Sequence, residues 1–135
     1  MPHPDLDRLL DFCLRFAQNR LTRNGAFHPF AAGIGATGEV QPLAIHLGDE
    51  IPGSQELIGQ YTARLKELAA AGELQAGALC HNTVLESDAV TVMLEHANGE
   101  CVTVFLPYRK EPAGSYHYDP MIAITAERRF FASTA

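Results

Sequence analysis

The sequence predicts an α+β fold, a two-layer sandwich in which an antiparallel sheet of about five strands carries two helices on one face. Three observations predict it. Two segments repeat apolar residues at three- and four-residue spacing, as amphipathic helices do. From residue 74 onward the apolar period changes to two, which is typical of strands. Short turn signals separate successive strands, so neighbours should pair antiparallel. The expected order is α-β-β-α-β-β-β.

The predicted helices are residues 5–24 and 54–71. Asp5 and Ser54 are suitable N-caps, because their side-chain oxygens can accept the free backbone N–H groups of a first turn. Gly25 can adopt the left-handed conformation that ends a helix. The two apolar stripes consist of Leu6, Leu9, Leu10, Cys13, Phe16, Ala17 and Leu21 in the first helix and Leu57, Ile58, Tyr61, Leu65, Leu68 and Ala69 in the second.

The strands are predicted from alternation and turn residues. Residues 28–47 form a hairpin around Thr37-Gly38. Because proline donates no ladder hydrogen bond, Pro42 makes the second strand either an edge or a strand that begins late. Residues 74–86 form a long strand that ends at a turn. A polar loop is expected over 109–119, and residues 120–131 have a composition between strand and helix, with a slight preference for strand.

The second hairpin, 89–97 with 100–107, turns at Asn98-Gly99. A two-residue loop sets a register in which His96 lies opposite Cys101. Both faces of this hairpin are apolar, and the predicted helices cover only one. A homodimer that packs sheet faces would cover the other, as would a C-terminal segment carrying Phe130 and Phe131.

Composition narrows the class of function. The 135 residues predict a single domain over 1–135, and the net charge of -6 disfavours nucleic acid and anionic membranes as partners. No run of 18 apolar residues and no signal peptide is present. Three cysteines without C-x-x-C spacing indicate reduced thiols in a cytoplasm of bacterial type.

The sharpest candidate for chemistry is His96 with Cys101, because an imidazole beside a thiol can lower the thiol pKa and produce a nucleophile. The simpler interpretation is a histidine at a strand end beside a small buried thiol. A second candidate is a ligand or partner contact in the loop, formed by Tyr108, Arg109, Tyr116 and His117. The simpler interpretation there is an ordinary exposed loop.

No metal site or cofactor is predicted. Cys80 and His81 are adjacent in a strand and point to opposite faces, and the remaining histidines lack the short spacing of zinc ligands. The run from Gly33 to Gly38 matches G-x-G-x-x-G but precedes a strand, so it cannot place a phosphate at a helix N-terminus.

Several runs over roughly residues 6–110 resemble a bacterial family of small uncharacterised proteins. They are Leu9-Leu10-Asp11-Phe12, Gly25-Ala26-Phe27-His28-Pro29-Phe30-Ala31, Ser54-Gln55-Glu56-Leu57-Ile58, Leu94-Glu95-His96, Gly99-Glu100 and Val104-Phe105-Leu106-Pro107-Tyr108. This resemblance implies a grouping and no catalytic residues. The element order is also similar to roadblock-type and longin-like domains, which implies a five-stranded antiparallel sheet used for dimerisation and partner binding.

The sequence therefore favours a non-enzymatic binding or assembly module that forms a homodimer through its sheet or binds another protein. A small thiol-dependent or hydrolase-like enzyme using His96 with Cys101 is the first alternative. An immunity-type protein that neutralises a partner toxin is the second, since such proteins are small and acidic.

Overall fold

The computed structural model describes residues 3–44, 53–84 and 86–131. Its elements follow the predicted order, with a strand as the last element, and the α+β class is confirmed. They are α1 (Pro4–Asn24), β1 (Phe30–Ile34), β2 (Val40–Pro42), α2 (Ser54–Ala70), β3 (Ala76–Val84), β4 (Asp88–His96), β5 (Cys101–Lys110), β6 (Tyr116–Tyr118) and β7 (Ile122–Thr125). The helix caps differ from the prediction: His3 caps α1 and Gly53 caps α2, the latter without a side-chain hydrogen bond.

All strands pair antiparallel, in the order β2-β1-β3-β4-β5, and β6 and β7 both add to the outer side of β5. The sheet therefore has seven strands rather than about five. Strand β2 is an edge, as the proline at its end predicts, and Pro42 is exposed. The segment 109–119 is not a continuous loop, because β5 runs to Lys110 and β6 begins at Tyr116.

The two helices lie on opposite faces of the sheet, so the prediction that both lie on one face is wrong. Helix α1 packs on the face formed by Ala32, Ala78 and Val92, whereas α2 packs on the other through Leu65. That second face carries Ala31, Leu79 and Met93, the alternate residues of the same three strands. The physical reason is the two-sided apolarity of the central strands, since one helix layer can bury only one side.

The β4–β5 hairpin has a three-residue loop, and the predicted register is wrong by one residue. The His96 N–H donates to the Glu100 carbonyl, and the Gly99 N–H donates to the His96 carbonyl. Gly99 has a φ of 105°, which only glycine adopts without strain, and Ala97 joins Asn98 and Gly99 in the loop instead of pairing with Glu100. Glu95, not His96, is therefore the residue opposite Cys101.

Because of this one-residue shift in register, residues of the hairpin that were predicted to pair have their side chains on opposite faces of the sheet. Glu95 is 2% exposed and lies on the α2 face, where it pairs with Gly77 of β3. A Cβ at Gly77 would lie 3.0 Å from Leu65 and 3.5 Å from Phe130, so glycine lets both side chains approach the sheet.

The C-terminal segment 126–131 crosses the α2 face and is anchored to it by Glu95. The Glu95 carboxylate accepts the backbone N–H groups of Arg129, Phe130 and Phe131 at 2.8, 2.9 and 3.0 Å. Phe130 is 3% exposed and packs beside Leu65 and Leu79. Of the two covers considered for the apolar hairpin, the C-terminal segment is the one that the structure shows over this part of the face.

Strands β6 and β7 are two halves of one edge strand, separated by a bulge. Tyr118 pairs with Tyr108 and Ile122 pairs with Phe105, so three residues on the edge strand face two on β5. The extra residue reverses which way the following side chains point. Ile122 and Ile124 consequently point to the α2 face.

Within the part of the chain that the structure describes, no helix is long and apolar enough to cross a bilayer.

Candidate functional site

His96 belongs to a polar cluster at the start of α1, which the sequence did not predict. Its Nε2 lies 3.3 Å from Asp5 Oδ2, and its ring centroid lies 4.0 Å from that of His3. His3, Asp5 and His96 offer ligand atoms within 4.8 Å of one another, the one such set among the described residues. No sequence signal connects them, because 91 positions separate Asp5 from His96.

The hydrogen bonds in this cluster fix the proton positions of both imidazoles. His96 Nδ1 accepts the Asn98 N–H at 3.0 Å, and His3 Nδ1 accepts the Asp5 N–H at 3.0 Å. In each neutral ring the proton must therefore be on Nε2, and that of His96 is directed at the Asp5 carboxylate. If His96 bound a cation through Nε2, the proton of the neutral ring would have to move to Nδ1. There it would face the Asn98 N–H, which needs an acceptor.

Glu100 completes the cluster from the hairpin side. Its carboxylate accepts the His3 N–H at 2.9 Å and the Asn98 side-chain amide at 3.0 Å, and these two bonds hold the pKa of Glu100 below its ordinary value. Two of these polar contacts join the first turn of α1 to the β4–β5 hairpin: His96 Nε2 with Asp5 Oδ2, and the His3 N–H with the Glu100 carboxylate. The arrangement fits a clasp that fixes the helix on the sheet, with both nitrogens of His96 occupied.

Cys101 lies on the other face from this cluster. Its neighbour across the hairpin is Glu95, and its thiol contacts the Gly99 carbonyl at 3.7 Å. Partial burial raises the pKa of the Cys101 thiol, the Glu95 charge raises it further, and Arg128 and Arg129 oppose the rise. The structure does not pair His96 with Cys101, and among the described residues it provides no group that would activate this thiol.

We expect Cys101 to react more slowly with iodoacetamide than free cysteine does at neutral pH. The reason is the raised pKa, which leaves less of the reactive thiolate at a given pH. The measurement is the alkylation rate of native protein by mass spectrometry between about pH 7 and 9, on either side of an ordinary thiol pKa. Cys13 and Cys80, which are buried, serve as internal controls and should remain unmodified. An alkylation rate at Cys101 above that of free cysteine would contradict this expectation and support the hypothesis of a thiol-dependent enzyme.

The aromatic members of the second predicted site belong to the fold rather than to an open contact surface. Tyr108 is buried, its hydroxyl donates to Asn82 Oδ1 at 2.6 Å, and burial raises the pKa of Tyr108 to about 12. Tyr116 is half-buried against it, with ring centroids 6.0 Å apart. The exposed members are Arg109 and His117, and each lies beside its own carboxylate, Glu111 at 3.6 Å and Asp119 at 3.1 Å.

Three of the five exposed large hydrophobic residues in the described part of the chain lie at or beside β7. Met121, Ile122 and Ile124 are 52%, 51% and 50% exposed, and all four β7 residues are exposed. The Ala126 N–H donates to the Cys101 carbonyl. Because backbone groups alternate in an antiparallel ladder, Ile122 and Ile124 direct theirs to β5, whereas Ala123 and Thr125 direct theirs outward.

The remaining edges of the described sheet carry the features that block further pairing. Strand β2 is only three residues long and ends at Pro42, and β6 carries His117 within a charged neighbourhood. Residues 121–126 contain neither charge nor proline. An uncharged run of strand composition was the available sequence signal, but its place at an edge came only with the structure.

Comparisons of the chain with protein-family models, with curated proteins and with solved structures found no match. Of the candidate sites, the clasp has both nitrogens of His96 bonded within the chain, and the tyrosines of the second site pack within the fold. The β7 edge is the one that combines exposed side chains with outward-directed backbone groups.

Proposed function

We propose that this chain is a non-enzymatic assembly module that associates through its sheet, and that its contact surface is the β7 edge. The single observation that carries the proposal is the exposed, uncharged strand Ile122–Thr125, whose outer side has no neighbour among the described residues. Such an edge is a template for one more strand, since the incoming backbone can satisfy the N–H and C=O groups of Ala123 and Thr125.

The side chains of β7 support the same surface. Ile122 and Ile124 extend the α2 face beyond Phe105 and Thr103, the residues that they pair with. An added strand would bury apolar area at about 25 cal/mol per Å² in addition to forming backbone hydrogen bonds. The C-terminal segment already covers the sheet nearer to α2, so the surface left for a partner is narrower than the whole face predicted from the sequence.

The test is the mass in solution by light scattering over a concentration series. We expect wild-type protein to exceed its 14.7 kDa chain mass with rising concentration, and Ile124→Lys to stay at that mass. A lysine at the edge opposes strand addition, and Ile124 is half-exposed, so the fold should tolerate it. The substitution also changes the net charge from -6 to about -5, so added repulsion between copies could not explain dissociation.

Gln41→Lys is the matched control, because it places the same charge on the opposite edge, at exposed β2. This variant should associate as the wild type does. A wild-type chain that stays monomeric at all concentrations would contradict the proposal. Dissociation of both variants would also contradict it, because the effect would then not belong to the β7 edge.

A further inference from the structure

The geometry of β7 points to its partner: a second copy of this chain, whose β7 adds antiparallel about a twofold axis at Ala123 and makes one continuous sheet across the dimer. This inference rests on the proposed function and deepens it by naming the partner and the register. Three features carry it, namely the direction of the free backbone groups, the order of the side chains and the distribution of charge.

The backbone restricts the possible registers. Two antiparallel edge strands of identical chains are related by a twofold axis perpendicular to the sheet. Each residue must therefore pair with a residue of the other copy whose side chain points to the same face of the sheet. The outward N–H and C=O groups belong to Ala123 and Thr125. Centring the axis on Ala123 lets its two copies exchange both hydrogen bonds, and it places Thr125 opposite Met121.

The side chains favour the same centre. The run Ile122-Ala123-Ile124 reads identically in both directions, so an antiparallel copy places each Ile122 opposite an Ile124. These are non-hydrogen-bonded pairs, in which the side chains of facing residues approach most closely. Four half-exposed isoleucines would then meet on the α2 face, and the small Ala123 side chains would meet on the α1 face.

Charge permits this contact between two acidic copies. The net charge of -6 opposes association over most of the surface, yet residues 120–126 carry no charge. The carboxylates that flank this run in the sequence are Asp119 and Glu127, both outside the segment that pairs. Asp119 contacts the His117 side chain, with Oδ1 3.1 Å from Nε2.

Disulfide trapping tests the register. Ala123→Cys and Thr125→Cys are each made in a Cys101→Ser background, which removes the half-exposed thiol and leaves Cys13 and Cys80 buried. In the inferred dimer the two copies of position 123 have Cα atoms about 5.5 Å apart, within the range of a disulfide. The two copies of position 125 are offset by about four residues, roughly 14 Å along the strand, so thiols placed there could not bond.

We expect glutathione disulfide to convert the Ala123→Cys protein to a covalent dimer on a non-reducing gel, and the Thr125→Cys protein to stay a single chain. The reduced samples are weighed in parallel by light scattering. If they are dimers but Thr125→Cys bonds, or neither variant bonds, the register is overturned while the assembly function stands. If the reduced samples are monomers at every concentration, the inference and the proposed function both fall.

Discussion

Replacing Glu95 with alanine is expected to lower the free energy of unfolding by about 3 to 5 kcal/mol, which is the usual cost of leaving buried charge-assisted hydrogen bonds without one partner. The Glu95 carboxylate is 2% exposed and accepts the N–H groups of Arg129, Phe130 and Phe131. Without it, those three groups lose their acceptor. The segment 126–131 must then detach or bury the groups unsatisfied.

Urea unfolding measures this loss, and hydrogen exchange at residues 129–131 should accelerate in the same variant. Glu95→Gln keeps the side-chain shape and one carbonyl oxygen, so its loss should be smaller. Glu86→Gln is a control for the removal of one carboxylate charge, at an exposed position just before β4. A loss below about 1 kcal/mol in Glu95→Ala would show that the carboxylate does not hold the segment, since one ordinary hydrogen bond contributes that much.

Phe130→Ala is expected to cost about 3 to 5 kcal/mol, the range for removing a fully buried phenylalanine. Phe130 is 3% exposed and lies over Gly77, where a Cβ would stand 3.5 Å from its ring. Gly77 has no side chain that could move into the space left behind, so a cavity should remain. Urea unfolding again measures the loss.

Phe131→Ala is the matched control, because Phe131 adjoins Phe130 in the chain but is only partly buried, so its removal should cost less. In the double variant of Glu95→Ala and Phe130→Ala we expect less than the sum of the two single losses, since both act on one docked segment. Additive losses would indicate that the anchor and the aromatic ring stabilise the fold independently. Equal losses in Phe130→Ala and Phe131→Ala would contradict the placement of Phe130 in the core.

Both Glu95 and Phe130 bear on assembly as well as on stability. The C-terminal segment begins where β7 ends, and the Ala126 N–H bonds to the Cys101 carbonyl at that junction. Docking the segment through Glu95 therefore holds the end of the edge strand on which the proposed contact depends. A variant that releases the segment should weaken association in addition to lowering stability, whereas Ile124→Lys should weaken association alone.

The sequence by itself determined the features that depend on residues close together in the chain. The apolar spacing of Leu6 to Leu21 predicts α1 almost to its ends, Gly25 ends it in a left-handed conformation, and Pro42 marks an edge strand. The strand composition of Ile122 to Thr125 was also readable. Each of these depends on interactions within a few positions, which is where helix periodicity, turns and caps originate.

Only the tertiary structure decided the contacts between distant segments. The β4–β5 loop takes in Ala97 as a third residue, and that single step replaced the expected pairing of His96 with Cys101 by the pairing of Glu95 with Cys101. The anchor of the C-terminal segment joins residues 34 to 36 positions apart, and the clasp at His96 joins residues 91 apart. A strand that is apolar on both faces needs a packed segment on each face. Which segment packs on which face depends on the packing of the whole chain.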